Sequence, residues 1–275
     1  MLRLETETGW WLVTHPDHAN LAGAFATHWG NAVFAPPEPR TNVLLGIHVH
    51  DDGWALRDAA PTITKQGKPS AFSSELVGKY SAFEEIDLAD YLAVRERAVQ
   101  QIAAKDAYAA LLVSMHTYNL LTARADRTTI APAQLPLLDD FLARQQTLQD
   151  TLRTTIQSTA ASAEATDEAI TDQIQDNFRL LQATDNLSLL TCVDYAAPAT
   201  LLHPMRKTNG TQSEIQVEPQ GNRTFRLTPY PFAEPTLTLT FPARHITGKT
   251  FTTSAELQHQ FAKAPVEHLT VTIHS

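Results

Sequence analysis

Four stretches of this 275-residue chain set a histidine or an aspartate into an apolar helical face. His18 is followed by Leu21, Ala22, Phe25 and Trp29 at +3, +4, +7 and +11, so helical spacing turns it inward. The run Leu44-Leu45-Gly46-Ile47-His48-Val49-His50-Asp51-Asp52-Gly53-Trp54 carries an apolar helix into a His/Asp cluster. Two acids at a helix C-terminus oppose the macrodipole, which asks for another reason for their presence. His116 shares a face with Leu112, Val113 and Leu120. Asp185 interrupts a stripe formed by Ile174, Phe178 and Leu181 before it and Ser188 and Cys192 after it.

Each position alone has an ordinary explanation. A core histidine can rest on a carbonyl, and a buried carboxylate on an arginine or on backbone N–H groups. An unpaired buried carboxylate is costly, however. Four inward positions on four helices share one economical explanation, a divalent cation at the centre of the bundle. Imidazole nitrogen and carboxylate oxygen suit iron, manganese, zinc, nickel or magnesium, so the metal's identity and number stay open. Such a cation brings the pKa of a water ligand from ~15.7 toward ~7. Asp51 and Asp52 are then the catalytic candidates, with Asp52 as general base if it stands beside that water without ligating. His15, Trp54, Tyr118 and Arg124 are candidate substrate contacts, the aromatic pair by stacking on a ring or base. Arg40, Lys65, Lys68, Lys79 and Arg95 are further possible anion contacts. His28 and His48 read as structural or surface residues.

The elements that must hold these groups follow from periodicity. Residues 2–5 and 10–14 alternate across Gly9 as a short hairpin. A helix starts near Pro16, capped by Thr14 with Asp17 three residues on, and stops at Gly30-Asn31. Further helices are expected at 40–52, 87–104, 106–122, 134–158 and 164–195, with an irregular stretch at 55–84. After Tyr195 the pattern changes to strands at Glu214–Glu218, Thr224–Thr228, Thr236–Phe241 and His268–His274, with turns at Asn209-Gly210 and Gly221-Asn222. Leu257–Lys263 reads as one short helix. The expected architecture is mainly α, with a short N-terminal hairpin and a small C-terminal β-rich region, α+β overall. A helical metal-binding domain would span 1–197, with a β-rich subdomain, 198–275, packed on it.

The order of these residues resembles the HD (His-Asp) superfamily. His18 matches the first His, His50-Asp51-Asp52-Gly53 the His-Asp-x-Gly element, and Asp185 the closing Asp, while His116 is similar to the extra His of two-metal members. The resemblance implies a helical domain over about 1–195. His18, His50, Asp51 and Asp185 would hold the first metal, Asp51 would bridge to a second, and His116 would join that one. It also implies metal-dependent phosphoester hydrolysis, or, as in a minority of members, di-iron oxygenation. Trp54 departs from the pattern, because many catalytic members carry Lys there to help hold phosphate. The chain also looks like a bacterial family of unknown function, through Thr14-His15-Pro16-Asp17-His18, His50-Asp51-Asp52-Gly53-Trp54, Ser114 to Leu120 and Asp185-Asn186-Leu187-Ser188.

Composition narrows the rest. Net charge is -9 with 21 Lys+Arg, which weighs against nucleic acid and anionic membranes as partners. One cysteine, Cys192, excludes an internal disulfide and suits a reducing cytoplasm. MLRLETETGWW lacks the apolar core of a signal peptide, and no apolar run approaches membrane-spanning length. No glycine-rich phosphate loop, serine elbow or CxxC pair suggests another chemistry. The expectation is a cytoplasmic, metal-dependent hydrolase of a phosphorylated or nucleotide-like small molecule, with a homodimer possible. The alternatives are a di-iron oxygenase and a non-catalytic metal- or ligand-binding protein.

Overall fold

The computed structural model describes residues 1–77, 86–160 and 166–275. The chain begins with strands β1 (Leu2–Glu5) and β2 (Gly9–Val13). Helices α1 (His15–His28) and α2 (Arg40–Val49) follow, then a 3-10 turn at Asp52–Trp54 and a short α3 (Ala55–Asp58). Four longer helices come next: α4 (Leu88–Ala103), α5 (Ala107–Ala123), α6 (Leu135–Ala160) and α7 (Asp167–Cys192). The remainder is β3 (Ala199–Thr200), β4 (Met205–Arg206), β5 (Gln212–Ser213), β6 (Gln216–Gly221), β7 (Thr224–Thr228), β8 (Thr236–Thr247), α8 (Ser254–Lys263) and β9 (Glu267–His274).

Local chemistry fixes the helix starts. Thr14 accepts a hydrogen bond from the Asp17 N–H at 3.1 Å, and its hydroxyl donates to Asp17 Oδ2 at 2.6 Å, a capping box with Asp in place of Glu. Asp87, Asp106, Thr166 and Thr253 cap α4, α5, α7 and α8 through their side chains. Helix α2 stops at Val49, short of the expected 52, and the chain tightens into the 3-10 turn. The turn lies close against α4 at Gly53, where a Cβ would meet the carbonyl oxygen of Val94 at 2.2 Å, so only glycine allows this approach. The irregular stretch at 55–84 opens on α3, and part of it, with Lys79, falls outside the described residues.

The β content departs from expectation. The molecule is not a mainly helical bundle with a small β region: it is 51% helical and carries a seven-stranded, curled, mixed sheet beside a two-stranded one. The large sheet runs β1-β2-β8-β9-β7-β6-β3. It joins strands from both ends of the chain, because β2 pairs antiparallel with β8, Trp10 facing Ile246 and Leu12 facing Arg244. The N-terminal hairpin is therefore part of the sheet that the C-terminal strands build. Alternation along a strand shows which face is buried but not which partner it takes, so this pairing leaves no local signal. Strand β9 then pairs antiparallel with β8 and parallel with β7. Asn222 and Arg223, both at positive φ, form the β6–β7 turn, as a two-residue hairpin loop requires.

Helices α1, α2, α5 and α7 pack against one another, α4 lies on α5 and on the 3-10 turn, and α6 covers α5. The sheet closes over α1 and α7. One hydrophobic core runs through both layers, from Phe25, Ile47 and Leu111 to Phe225, Phe241 and Val271. Among the described residues, no helix is long and apolar enough to cross a membrane.

Candidate metal centre

The inward residues of four helices meet where those helices pack. His18 from α1, His50 and Asp51 from the end of α2, His116 from α5 and Asp185 from α7 are all buried, none more than 6% exposed. His18 Nε2 lies 3.1 Å from Asp51 Oδ2 and 3.9 Å from Asp185 Oδ1. His50 Nε2 lies 3.3 Å from Asp185 Oδ1 and 4.0 Å from Asp51 Oδ2. The rings of His50 and His116 are 5.0 Å apart between centroids.

Each imidazole is anchored through Nδ1. His50 Nδ1–H donates to the Ile47 carbonyl at 2.7 Å, so only Nε2 faces the carboxylates. His18 Nδ1 is 2.8 Å from Ser188 Oγ, whose own hydroxyl donates to the Asp185 carbonyl at 2.8 Å. His116 Nδ1 is 2.5 Å from the Gln182 side-chain amide. The His50 and His18 partners fix ring orientation in the manner of metal-ligating histidines, whereas the Gln182 amide N–H donates to His116 Nδ1.

The donor set fits a divalent cation. One ligand atom from each of His18, His50 and Asp185 lies within 4.8 Å of the others, and the same holds for His50, Asp51 and His116. Mixed nitrogen and oxygen donors at this spacing need only small movements to reach ligand distances of ~2.0–2.2 Å. Buried His/Asp groups could thus hold a metal ion.

Charges in this pocket are strongly coupled. Burial alone would lower the His50 pKa, but the Asp51 charge and the bond to Asp185 outweigh it and raise it to about 9. Burial would raise the Asp51 and Asp185 carboxyls; instead Arg95 and His50 hold Asp51 well below the usual range, and His50 lowers Asp185. Burial takes His116 down to about 3. In the absence of a metal, Arg95 and the raised pKa of His50 thus offset the two carboxylates.

Arg95 also belongs to this cluster, although its sequence position marks it only as one possible anion contact among several. Its Nη1 donates to Asp51 Oδ1 and its Nε to Tyr91 Oη at 3.1 Å. The signal existed: on α4, Leu88, Leu92, Val99 and Ile102 stand at -7, -3, +4 and +7 from it, so an apolar stripe runs through an arginine as it does through Asp185. Asp58 was missed as well. It is buried, accepts from the His15 backbone N–H at 2.5 Å, and contacts His15 Nδ1 at 3.0 Å and the Met1 amine at 2.9 Å.

A cavity of about 420 Å³ opens onto the centre. His18, Asp51, His116, Asp185 and Arg95 line it, and His50 stands behind them, fully buried. Of the expected substrate contacts, His15, Trp54 and Arg124 are on its wall. Trp54 is already engaged by the protein: His15 stacks on it at 4.3 Å, Tyr91 meets its edge, and the Arg95 guanidinium lies 5.4 Å from its ring centre. Tyr118 is not among the lining residues, because two positions beyond His116 a helix has turned about 200°. Asp52, the expected general base, also lies off the wall; it opens the 3-10 turn, half-buried. Arg40 donates to the Thr27 carbonyl at 2.5 Å, away from the cavity. His28 pairs with Glu234 at 2.8 Å, and His48 lies 3.3 Å from Asn20 Oδ1, both apart from the cluster.

No curated protein and no solved structure matches the chain. Residues 1–248 match the family described as "Protein of unknown function (DUF3891)", and the chain belongs to that family.

Proposed function

We propose that this centre is a metal-dependent hydrolytic site for a phosphorylated or nucleotide-like small molecule. The observation that carries the reading is the convergence of three imidazoles and two carboxylates from four helices beside a cavity of about 420 Å³. A cavity of that size suits a small ligand and is too small for a macromolecular substrate to enter whole. His18, His50, Asp51 and Asp185 would hold the cation, with His116 beside them. Bound there, a divalent metal would acidify a water and polarise a phosphoryl oxygen. The order of His18, His50-Asp51 and Asp185 supports the reading, since it resembles the ligand order of HD phosphohydrolases.

The chain's own residues supply the rest. Arg95 and Arg124 present positive charge to an anionic substrate on the cavity wall, while Leu120, Leu189 and Leu190 give an apolar surface against which its body can pack. Asp52 has no part in this arrangement.

The test is elemental analysis of purified protein together with turnover of a panel of phosphomonoesters and nucleotides. The expected result is a bound divalent metal and hydrolysis of at least one compound, both lost in His50→Ala and Asp185→Asn. Metal without hydrolysis across the panel would favour a binding role, and oxygen consumption with iron would favour oxygenation. Absence of metal in every preparation would remove the reading.

A further inference from the structure

We infer that the centre holds a single metal ion and that Arg95 is a permanent second cation, placed to hold an oxygen of the substrate beside that ion. This inference rests on the metal-centre reading above and refines it.

Three observations converge. The two candidate ligand triads, His18/His50/Asp185 and His50/Asp51/His116, share His50. Its Nδ1–H is committed to the Ile47 carbonyl, so His50 has one nitrogen to offer and the triads cannot each hold an ion through it. Next, the common carboxylate bridge between two ions uses both oxygens. Asp51 Oδ2 faces His18 and His50, but Asp51 Oδ1 is taken by the Arg95 guanidinium. Charge gives the third argument. Beside the two carboxylates and Arg95, one divalent ion leaves a single positive charge, which one anionic ligand neutralises. Two such ions would leave three positive charges among buried groups, a costly state in a low-dielectric interior. A di-iron centre meets the same obstacle.

Arg95 is also placed to act on a ligand. One terminal nitrogen donates to Asp51, Nε donates to Tyr91 Oη, and Nη2 has no hydrogen-bond partner among the described residues. The residue lines the cavity next to Asp51 and Asp185. A planar guanidinium with donors to spare suits a phosphoryl or carboxylate oxygen. The sequence lacks the lysine that resemblance would lead one to expect after Gly53, and Arg95 supplies positive charge beside the Trp54 that replaces it.

The test needs no substrate. Wild-type protein is saturated with Mn²⁺, freed of excess metal, and assayed for Mn per chain; the loaded protein is then titrated calorimetrically with inorganic phosphate. The expected results are one Mn per chain and measurable phosphate binding. The Arg95→Gln variant should keep its Mn but bind phosphate about tenfold or more weakly, with Arg95→Lys intermediate. Two tightly held Mn per chain would overturn the single-ion claim. Wild type that ignores phosphate, or phosphate affinity unchanged in both variants, would overturn the role of Arg95. A protein that holds no Mn at all sinks the parent reading instead. Should Arg95→Gln fail to fold, the wild-type stoichiometry and Arg95→Lys still decide the matter.

Discussion

His18 donates its Nδ1 proton to Ser188 Oγ across 2.8 Å, because the Ser188 hydroxyl is itself spent on the Asp185 carbonyl. The serine therefore holds the His18 ring through Nδ1 and turns Nε2 toward the two carboxylates, 3.1 Å from Asp51 Oδ2 and 3.9 Å from Asp185 Oδ1, where a metal ion would take the place of the Nε2 proton.

Ser188→Ala should weaken metal binding without removing a ligand. Loss of an outer-shell partner of a metal-bound histidine costs roughly 10–100-fold in affinity, and His18 is then free to rotate or change tautomer. Competition of the loaded protein with a chelator reads the change. Affinity equal to wild type would mean that packing against α7 alone holds the ring.

Metal-free protein should lose stability toward both acid and alkaline pH. His50 has its pKa raised to about 9 in the fold, so the stability it contributes is fully present below its unfolded value of 6.5 and is lost as pH rises toward 9. His116 and His15 are lowered, to about 3 and about 4, so the unfolded chain takes up their protons first and stability falls as pH drops from 6.5 toward those values. Asp58, held well below the usual carboxylate range by His15 and the Met1 amine against its own burial, adds to the acid limb below 3.8. A bound metal replaces the His50 proton, so loading should flatten the alkaline limb. Thermal melts from pH 4 to 9, with and without Mn²⁺, measure both limbs; an alkaline decline that metal leaves unchanged would contradict this account.

Much of the site was legible because helical spacing is a local property. His18, His116 and Asp185 announce themselves by interrupting apolar stripes, and the same rule applied to α4 picks out Arg95. The cluster at His50-Asp51 was visible as an anomaly of charge at a helix end. The sheet was not legible in this way. Trp10 and Ile246 are partners more than two hundred positions apart, and each strand's alternation is equally compatible with many neighbours. Asp58 escaped for a related reason: its partners, His15 and the Met1 amine, are brought to it only by the tertiary fold. Asp52 and Tyr118 lie off the cavity wall for a different reason. Being close in sequence to a residue of the cluster says little about direction when the chain turns about 100° per residue.

Gly53→Ala should cost stability and metal together. The new Cβ would meet Val94 O at 2.2 Å and Ala98 N at 2.9 Å, both backbone atoms of α4, so the helix or the turn must move. Overpacking of this kind typically costs about 1–3 kcal/mol. The displaced segment carries both sides of the Asp51–Arg95 pair, so geometry at the centre shifts with it. Denaturant titration gives the loss of stability and Mn per chain gives the loss of site; a variant as stable as wild type would show that the turn has room to relax.

Arg124→Ala should raise KM about tenfold for an anionic substrate while metal content stays the same. Arg124 caps α5, eight residues beyond His116, which places its backbone about 12 Å further along the helix axis. Both residues line one cavity, and Arg124 has no hydrogen bond or ion pair among the described residues. An unpaired guanidinium at that distance from the centre meets the far end of a bound molecule, so its interaction is the same in the ground state and the transition state. Uniform binding of this kind appears in KM and not in kcat. Tyr118→Phe provides the contrast, since Tyr118 lies off the wall and the change should alter neither constant. If Arg124→Ala instead lowered kcat with KM unchanged, the reacting group would have to lie near Arg124, and the buried His/Asp cluster would no longer be the place where bonds break.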